Sequence, residues 1–196
     1  MEEHIKYSAY EKEFTEIILS NDWFMEALKV VRDCNVPNWL VGGGVIRNIV
    51  WDSLHGYNIP TSLKDLDVAF YDSKDLSIER DKLIQEKLKN SQPNINWEVT
   101  NQAGVHLWYE ECFGFKVNPL KSCEEAVSTW PETATCVGVR LMEDNSLIIV
   151  APFGLEDLFK LILRRNKTRI TQDIFLNRLK EKKISKNWPK VRVIYK

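Results

Sequence analysis

Residues 39–47 read Trp39-Leu40-Val41-Gly42-Gly43-Gly44-Val45-Ile46-Arg47, and this stretch decides the fold. A brief apolar run meets three glycines, and Val45, Ile46, Ile49, Val50 and Leu54 then follow at helical spacing. The pattern predicts strand, glycine turn, helix. Glycine lets a backbone approach a ligand closely, and the start of a helix presents N–H groups without intrahelical partners. Gly42, Gly43 and Gly44 therefore suit a phosphate, and Arg47, one helical turn beyond Gly43, can add a bidentate guanidinium grip. Read alone, three glycines after a strand can equally make a simple tight turn.

On the N-terminal side, Phe14, Ile17, Ile18, Phe24, Leu28 and Val31 recur at the period of a helix with one buried face. Ser20-Asn21-Asp22 offers cap oxygens and splits that pattern into two short helices, the second ending near Asn35 and Pro37. On the C-terminal side, beyond a Gly56–Pro60 loop, residues Asp65–Tyr71 alternate: Leu66, Val68 and Phe70 on one face, Asp65, Asp67 and Ala69 on the other. Leu76, Leu83, Ile84 and Leu88 sketch an amphipathic helix ending before Pro93, and Ile95, Trp97 and Val99 alternate with Asn96, Glu98 and Thr100 in a second strand. Thr135–Met142 and Leu147–Val150 flank Glu143-Asp144-Asn145-Ser146 as a hairpin. Two helices, about Gly154–Leu163 and Thr171–Lys182, and an edge strand at Val191–Tyr195 close the chain. The order predicts an α/β (α+β) fold, a mixed central β-sheet flanked by helices.

The chain has 196 residues, 44% apolar and 28% charged, enough to bury roughly 70% of its unfolded surface. Disorder is excluded, and one domain is expected: N-terminal helices over 1–36, a core over about 37–151 and C-terminal helices over 152–196. Lys and Arg number 27 against 28 Asp and Glu. A net charge of −1 leaves no general basic field for a long nucleic acid, so nucleic acid is not the favoured partner. Cys34, Cys112, Cys123 and Cys136 form no CxxC pair, and core filling is their expected role. The acidic start MEEHIKYSAYEKEF lacks the character of a signal peptide, and no apolar run approaches the ~20 residues of a membrane span. No membrane partner and a cytoplasmic location are expected.

Asp65 and Asp67, two apart on a strand, point the same way with about 7 Å between Cα atoms. Side chains close that gap, and carboxylate oxygens converging from neighbouring positions are what two hard divalent cations about 3.5–4 Å apart require. Glu98 lies on the polar face of the next strand and completes a three-carboxylate cluster if the two strands are neighbours. Either element alone also fits a solvated strand face. Asn101 and His106, just past the Glu98 strand, can touch a sugar or an acceptor hydroxyl, or simply pack. Arg164-Arg165 with Lys167 and Arg169 forms the densest basic run, which fits a phosphate patch or a solvated helix end. Trp23, Trp39 and Trp97 follow buried periodicities and read as core.

Taken together, the glycine turn, the Asp-x-Asp strand and the later acid resemble the nucleotidyltransferase fold of the polymerase-beta superfamily, which includes the heads of tRNA-tailing and poly(A) enzymes. More narrowly, the chain is similar to a bacterial-type family of small stand-alone nucleotidyltransferase-like proteins. The likeness rests on Gly42 to Asn48, Val50-Trp51-Asp52, Asp65-Leu66-Asp67-Val68, Trp97-Glu98-Val99, Asn101-Gln102-Ala103 and His106. It continues through Trp130 to Thr135, Gly154 to Phe159 and Trp188-Pro189. The family pattern usually has a basic residue where Gly104 stands here and an aromatic one where Leu120 stands. The resemblance implies that Gly43 and Gly44 hold an incoming triphosphate, that Asp65 and Asp67 bind two magnesium ions and that Glu98 serves the catalytic one. The implied reaction is Mg²⁺-dependent (or Mn²⁺-dependent) transfer of a nucleoside monophosphate from a nucleoside triphosphate to a hydroxyl acceptor, with release of pyrophosphate. The other reading is a nucleotide-binding or regulatory module of the same fold without turnover.

Overall fold

Helix formation begins where the apolar spacing and the cap agree. In the computed structural model, which describes residues 2–195 and side chains from Tyr10 to Tyr195, α1 spans Glu2–Leu19 and α2 spans Asp22–Asp33. Met1 and Lys196, the outer ends of the two expected terminal helical segments, lie outside the described residues. Asn21 separates the two helices, its side chain accepting the Phe24 N–H at 3.3 Å. Phe14, Ile18, Phe24, Leu28 and Val31 are all fully buried.

The glycine segment folds as β1 (Leu40–Gly42) running into α3 (Gly44–His55). Next come β2 (Leu66–Phe70), α4 (Ile78–Ser91) and β3 (Trp97–Asn101), then α5 (Val105–Phe113), α6 (Cys123–Val127) and the hairpin β4 (Gly138–Leu141) and β5 (Leu147–Val150). The five strands form one sheet in the order β3-β2-β1-β4-β5. β2 and β3 are parallel, while β1 is antiparallel to both β2 and β4. The mixed sheet flanked by helices is the architecture the element order predicts.

One face of the sheet carries Val41, Leu66, Val68, Phe70, Trp97 and Val99 into the main core, against α1, α2, α3 and α4. The other face is covered only in part: Leu40 and Ala69 pack on Cys123 and Val127 of α6 and on Cys136. The uncovered part of that face bears Asp67 and Glu98.

Several elements depart from the local pattern. The Gly154–Leu163 helix reduces to α7 (Glu156–Phe159), after which Leu161 turns at φ 54° and residues Ile162–Arg164 form β6. Its partner β7 (Arg192–Ile194) runs parallel to it in a separate two-stranded sheet instead of edging the central one. A long-range pairing thus overrides a helical reading of an apolar run. The basic run beginning at Arg164-Arg165 therefore lies on a strand end and loop, not a helix end. Thr133–Thr135 is a 3-10 turn, so the first hairpin strand starts at Gly138. Leu76, Leu83 and Trp23 are exposed, as is Cys112, whereas Trp39 and Trp97 are buried as expected. Leu83 shows the cause: Ile84 and Leu88 alone give α4 its buried stripe. Among the described residues no helix is long and apolar enough to cross a membrane.

The C-terminal part, α8 (Gln172–Lys182) and α9 (Ile184–Asn187), is pinned to α3 through Trp188. The Trp188 ring meets Trp51 edge-on at 5.3 Å, and its indole N–H donates to Asp52 at 2.7 Å. Asp52 also accepts the Thr61 N–H and hydroxyl at 2.7 and 2.6 Å, so this buried carboxylate is well supplied with donors.

Gly42 shows how tightly β1 and β4 approach: a Cβ there would lie 2.3 Å from the Val137 carbonyl oxygen and 2.8 Å from the Trp130 ring. Gly42→Ala is expected to lower stability by at least about 1–3 kcal/mol through overpacking, read as a lower urea midpoint at unchanged slope.

Candidate active site

Strand register brings the acids together. In the parallel β2–β3 pair Asp67 is the Cα partner of Glu98, so both side chains leave the same face side by side. Asp65, just before β2, sits two residues earlier on that face. One oxygen from each of Asp65, Asp67 and Glu98 lies within 4.8 Å of the others. These all-oxygen, hard donors fit a divalent cation such as Mg²⁺ or Mn²⁺.

Three like charges so close oppose one another. Burial, and then the charges of Asp65 and Glu98, push the Asp67 carboxyl from its usual 3.8 up to about 7, against the opposing pull of Lys182 and Arg178. Burial and mutual repulsion of the acids thus outweigh the pull of the nearby cations at Asp67, the condition in which a bound metal ion gains most.

The acids open onto a cavity of about 440 Å³, within the size range of small-molecule sites, about 300–1,000 Å³. Gly43 and Gly44 line it; Gly42 does not, being spent on the β1–β4 contact. Gly43 adopts φ 69°, ψ −121°, a conformation suited to glycine alone. Its N–H is committed to the Val137 carbonyl at 3.0 Å, so the free donors are those that open α3 from Gly44 onward. Arg47 lines the cavity but is largely buried, its guanidinium 5.0 Å above the Trp188 ring and donating to Asn48 at 3.2 and 2.7 Å. Burial lowers its pKa to about 10.

Asn101 and His106 lie outside the cavity lining. Asn101 is buried and saturated: its oxygen accepts the Asp72 and Ala103 N–H groups, and its amide donates to the Asp72 and Asp75 carbonyls. It locks the turn that follows β3. His106 keeps a buried Nδ1 without a partner. Gly104 and Leu120 are likewise buried away from the cavity; a Cβ on Gly104 would make ordinary contact with Leu76. The basic run diverges: Arg164 pairs with Asp157 at 2.9 Å, Arg165 donates to the Ile170 carbonyl, and of the four only Arg169 lines the cavity.

Three cavity cations were not anticipated: Lys64, just before β2, and Arg178 and Lys182 on α8. The i,i+4 spacing of Arg178 and Lys182 on a helix already expected from the sequence places them on one face, which is the signal that could have found them. Arg178 is held by a two-pronged pair with Glu132, at 2.7 and 3.3 Å. Glu132 is almost fully buried and also accepts the Thr135 hydroxyl at 2.9 Å. With Arg47, Lys64 and Arg169, five cationic side chains line the cavity against three carboxylates. A nearly neutral protein thus concentrates positive charge around its acids.

A family model described as Nucleotidyltransferase matches residues 29–193. The chain belongs to that nucleotidyltransferase family. Among solved structures, an NMR structure that reveals a CCA-adding enzyme head domain resembles this chain with a TM-score of 0.78 and 26% identity, over 93% of this chain and 95% of that one. The Thermotoga maritima CCA-adding enzyme complexed with tRNA matches at a TM-score of 0.56 and 13% identity, covering 91% of this chain and 42% of that one. A CCA-adding enzyme with CTP matches at 0.53 and 11%, covering 94% and 43%. With these two longer proteins the likeness is one of fold alone. No curated protein gives a match.

The raised pKa of Asp67 makes its charge a cost to the folded state. That cost is absent below the unfolded value of 3.8, grows as pH rises toward about 7 and is constant above it. In a chelator, Asp67→Asn is expected to melt at a higher temperature than the wild type at pH 8, with the gap closing by pH 3.5, as thermal denaturation across that range will record.

Proposed function

We propose that this nucleotidyltransferase moves a nucleoside monophosphate from a nucleoside triphosphate to a hydroxyl acceptor in a divalent-metal-dependent reaction. The observation that carries the reading is the juxtaposition of three converging carboxylates with a cation surplus and a glycine-led helix start in one cavity. Asp65, Asp67 and Glu98 would hold the metal. Mg²⁺ or Mn²⁺ there would supply Lewis-acid help, lowering the acceptor hydroxyl's pKa and neutralising charge on the departing pyrophosphate.

The chain's own groups do the rest. Arg178 and Lys182, with the N–H groups that open α3, face the triphosphate and offset its charge. Glu132 holds the Arg178 guanidinium in place, so little side-chain entropy is lost when the substrate arrives. The acceptor oxygen bonds to the α-phosphorus, the bond from that phosphorus to the bridging oxygen breaks, and its electron pair leaves with pyrophosphate. The acceptor's proton passes to a carboxylate of the cluster, Glu98 or Asp67, and from there to solvent.

The CTP and tRNA that accompany the two longer CCA-adding enzymes are the first donor and acceptor to try, followed by the other triphosphates and small hydroxyl compounds. Pyrophosphate release is followed in Mg²⁺ and in Mn²⁺. The wild type is expected to release it, and Asp67→Ala to lose about 10²-fold or more of the rate. Release that persists in Asp67→Ala overturns the reading. Metal-dependent nucleotide binding with no release under any acceptor leaves a binding module instead. Arg178→Ala is expected to raise the KM for the triphosphate by about tenfold or more, the loss of charge-assisted hydrogen bonds, and Arg178→Lys to recover part of it.

A further inference from the structure

The cavity lining combines two chemistries. Gly43, Gly44, Arg178 and Lys182 line it together with the acids, with the Trp130 ring beside Gly43, and α5, which follows β3, adds Trp108, Tyr109 and Phe113, joined by Arg169. Tyr109 is buried and packs on Leu120 and Ala126, which fixes the helix. Trp108 and Phe113 on the same helix keep 38% and 40% of their surface exposed.

Large rings left open to water forgo hydrophobic stabilisation that burial would give, and here they stand in the same cavity as the three carboxylates. They form a series: Trp108 lies 6.2 Å from Tyr109 at an interplanar angle of 29°, and Tyr109 lies 4.4 Å from Phe113 at 35°. The Arg169 guanidinium sits 5.7 Å from the Tyr109 ring centroid and is anchored to the Asn118 carbonyl at 2.8 Å. The nearby Gln102, also in the lining, donates an amide N–H to the Thr100 carbonyl at 3.2 Å. The α5 part of the lining is therefore rich in π-faces and contributes no carboxylate.

Resting on the reading of the site as a nucleotidyltransferase centre, the geometry points to this aromatic wall as a stacking subsite for the nucleobase of a nucleotide, held by the face of its ring. Every base has a π-face, so such a site takes purines and pyrimidines alike. The base belongs either to the triphosphate donor or to a nucleotide acceptor, and binding measurements separate the two.

The full-length chain is titrated calorimetrically in Mg²⁺ with CTP, ATP, tripolyphosphate, cytidine and adenosine. The variants are Trp108→Ala, Phe113→Ala and Trp108→Phe, with Leu107→Ser, exposed on the same helix and outside the cavity lining, as control. If the wall holds the donor's base, Trp108→Ala and Phe113→Ala weaken CTP and ATP by roughly five- to hundredfold, the effect of losing one base–aromatic stack. Tripolyphosphate affinity stays at the wild-type value, which also reports an intact fold. Trp108→Phe restores most of the loss, and the nucleosides compete with CTP. If the wall holds the acceptor's base, the nucleosides bind alongside CTP, and their binding alone is lost in Trp108→Ala.

Nucleotide and nucleoside binding unchanged in both alanine variants overturns the subsite, as does an equal loss for CTP and tripolyphosphate. In either case, Asp67-dependent pyrophosphate release by the wild type leaves the parent reading standing. A wild type that binds neither CTP nor tripolyphosphate removes the parent reading itself.

Discussion

Mutual repulsion among Asp65, Asp67 and Glu98 is the constraint around which the rest of the structure is arranged. Three carboxylates whose oxygens approach within 4.8 Å of each other in a partly buried cavity are tolerable only if positive charge is supplied nearby. The protein supplies it from Arg178 and Lys182 of α8, 80 and 84 residues beyond Glu98 in the sequence. That helix is held at the site by two buried polar contacts: Glu132 grips Arg178, and Asp52 accepts the Trp188 indole N–H. Each contact satisfies a buried carboxylate and fixes the C-terminal segment, so the groups that secure the fold also set the field inside the cavity.

The sheet accounts for the rest of the geometry. With one face committed to the main core, the strands can offer only their other face to a ligand, and α6 covers part of that around Leu40 and Ala69. Parallel pairing of β2 with β3 then decides which acids meet. A register shift of one residue would send Glu98 to the core face and break the cluster. The glycines divide their duties in the same economical way: Gly42 lets β4 and Trp130 approach, Gly43 takes the backbone turn, and Gly44 opens the helix beside the acids.

Where local pattern failed, a distant partner was the cause. The apolar run Leu161–Leu163 reads as the end of a helix until Arg192–Ile194 is there to pair with it. Asn101 reads as a ligand contact because it follows the Glu98 strand, yet four backbone groups from the neighbouring turns consume its side chain. Trp23 matches a helical stripe, yet the buried positions of α2 are Phe24, Ala27, Leu28 and Val31, and Trp23 stays exposed. Arg178 and Lys182 were visible as a helical i,i+4 pair, but nothing local says which surface they meet.

The sequence by itself determined the strand–glycine–helix unit, the two-residue spacing that puts Asp65 and Asp67 on one face, the polar position of Glu98 and the capped break between α1 and α2, because each depends on backbone periodicity or on neighbours within a few residues. Only the tertiary structure decided the β2–β3 register that joins Glu98 to the aspartates, the delivery of Arg178 by Glu132 and the half-exposed aromatic wall of α5. Those depend on contacts between segments far apart in the chain, whose free energy is realised only when the whole core has closed.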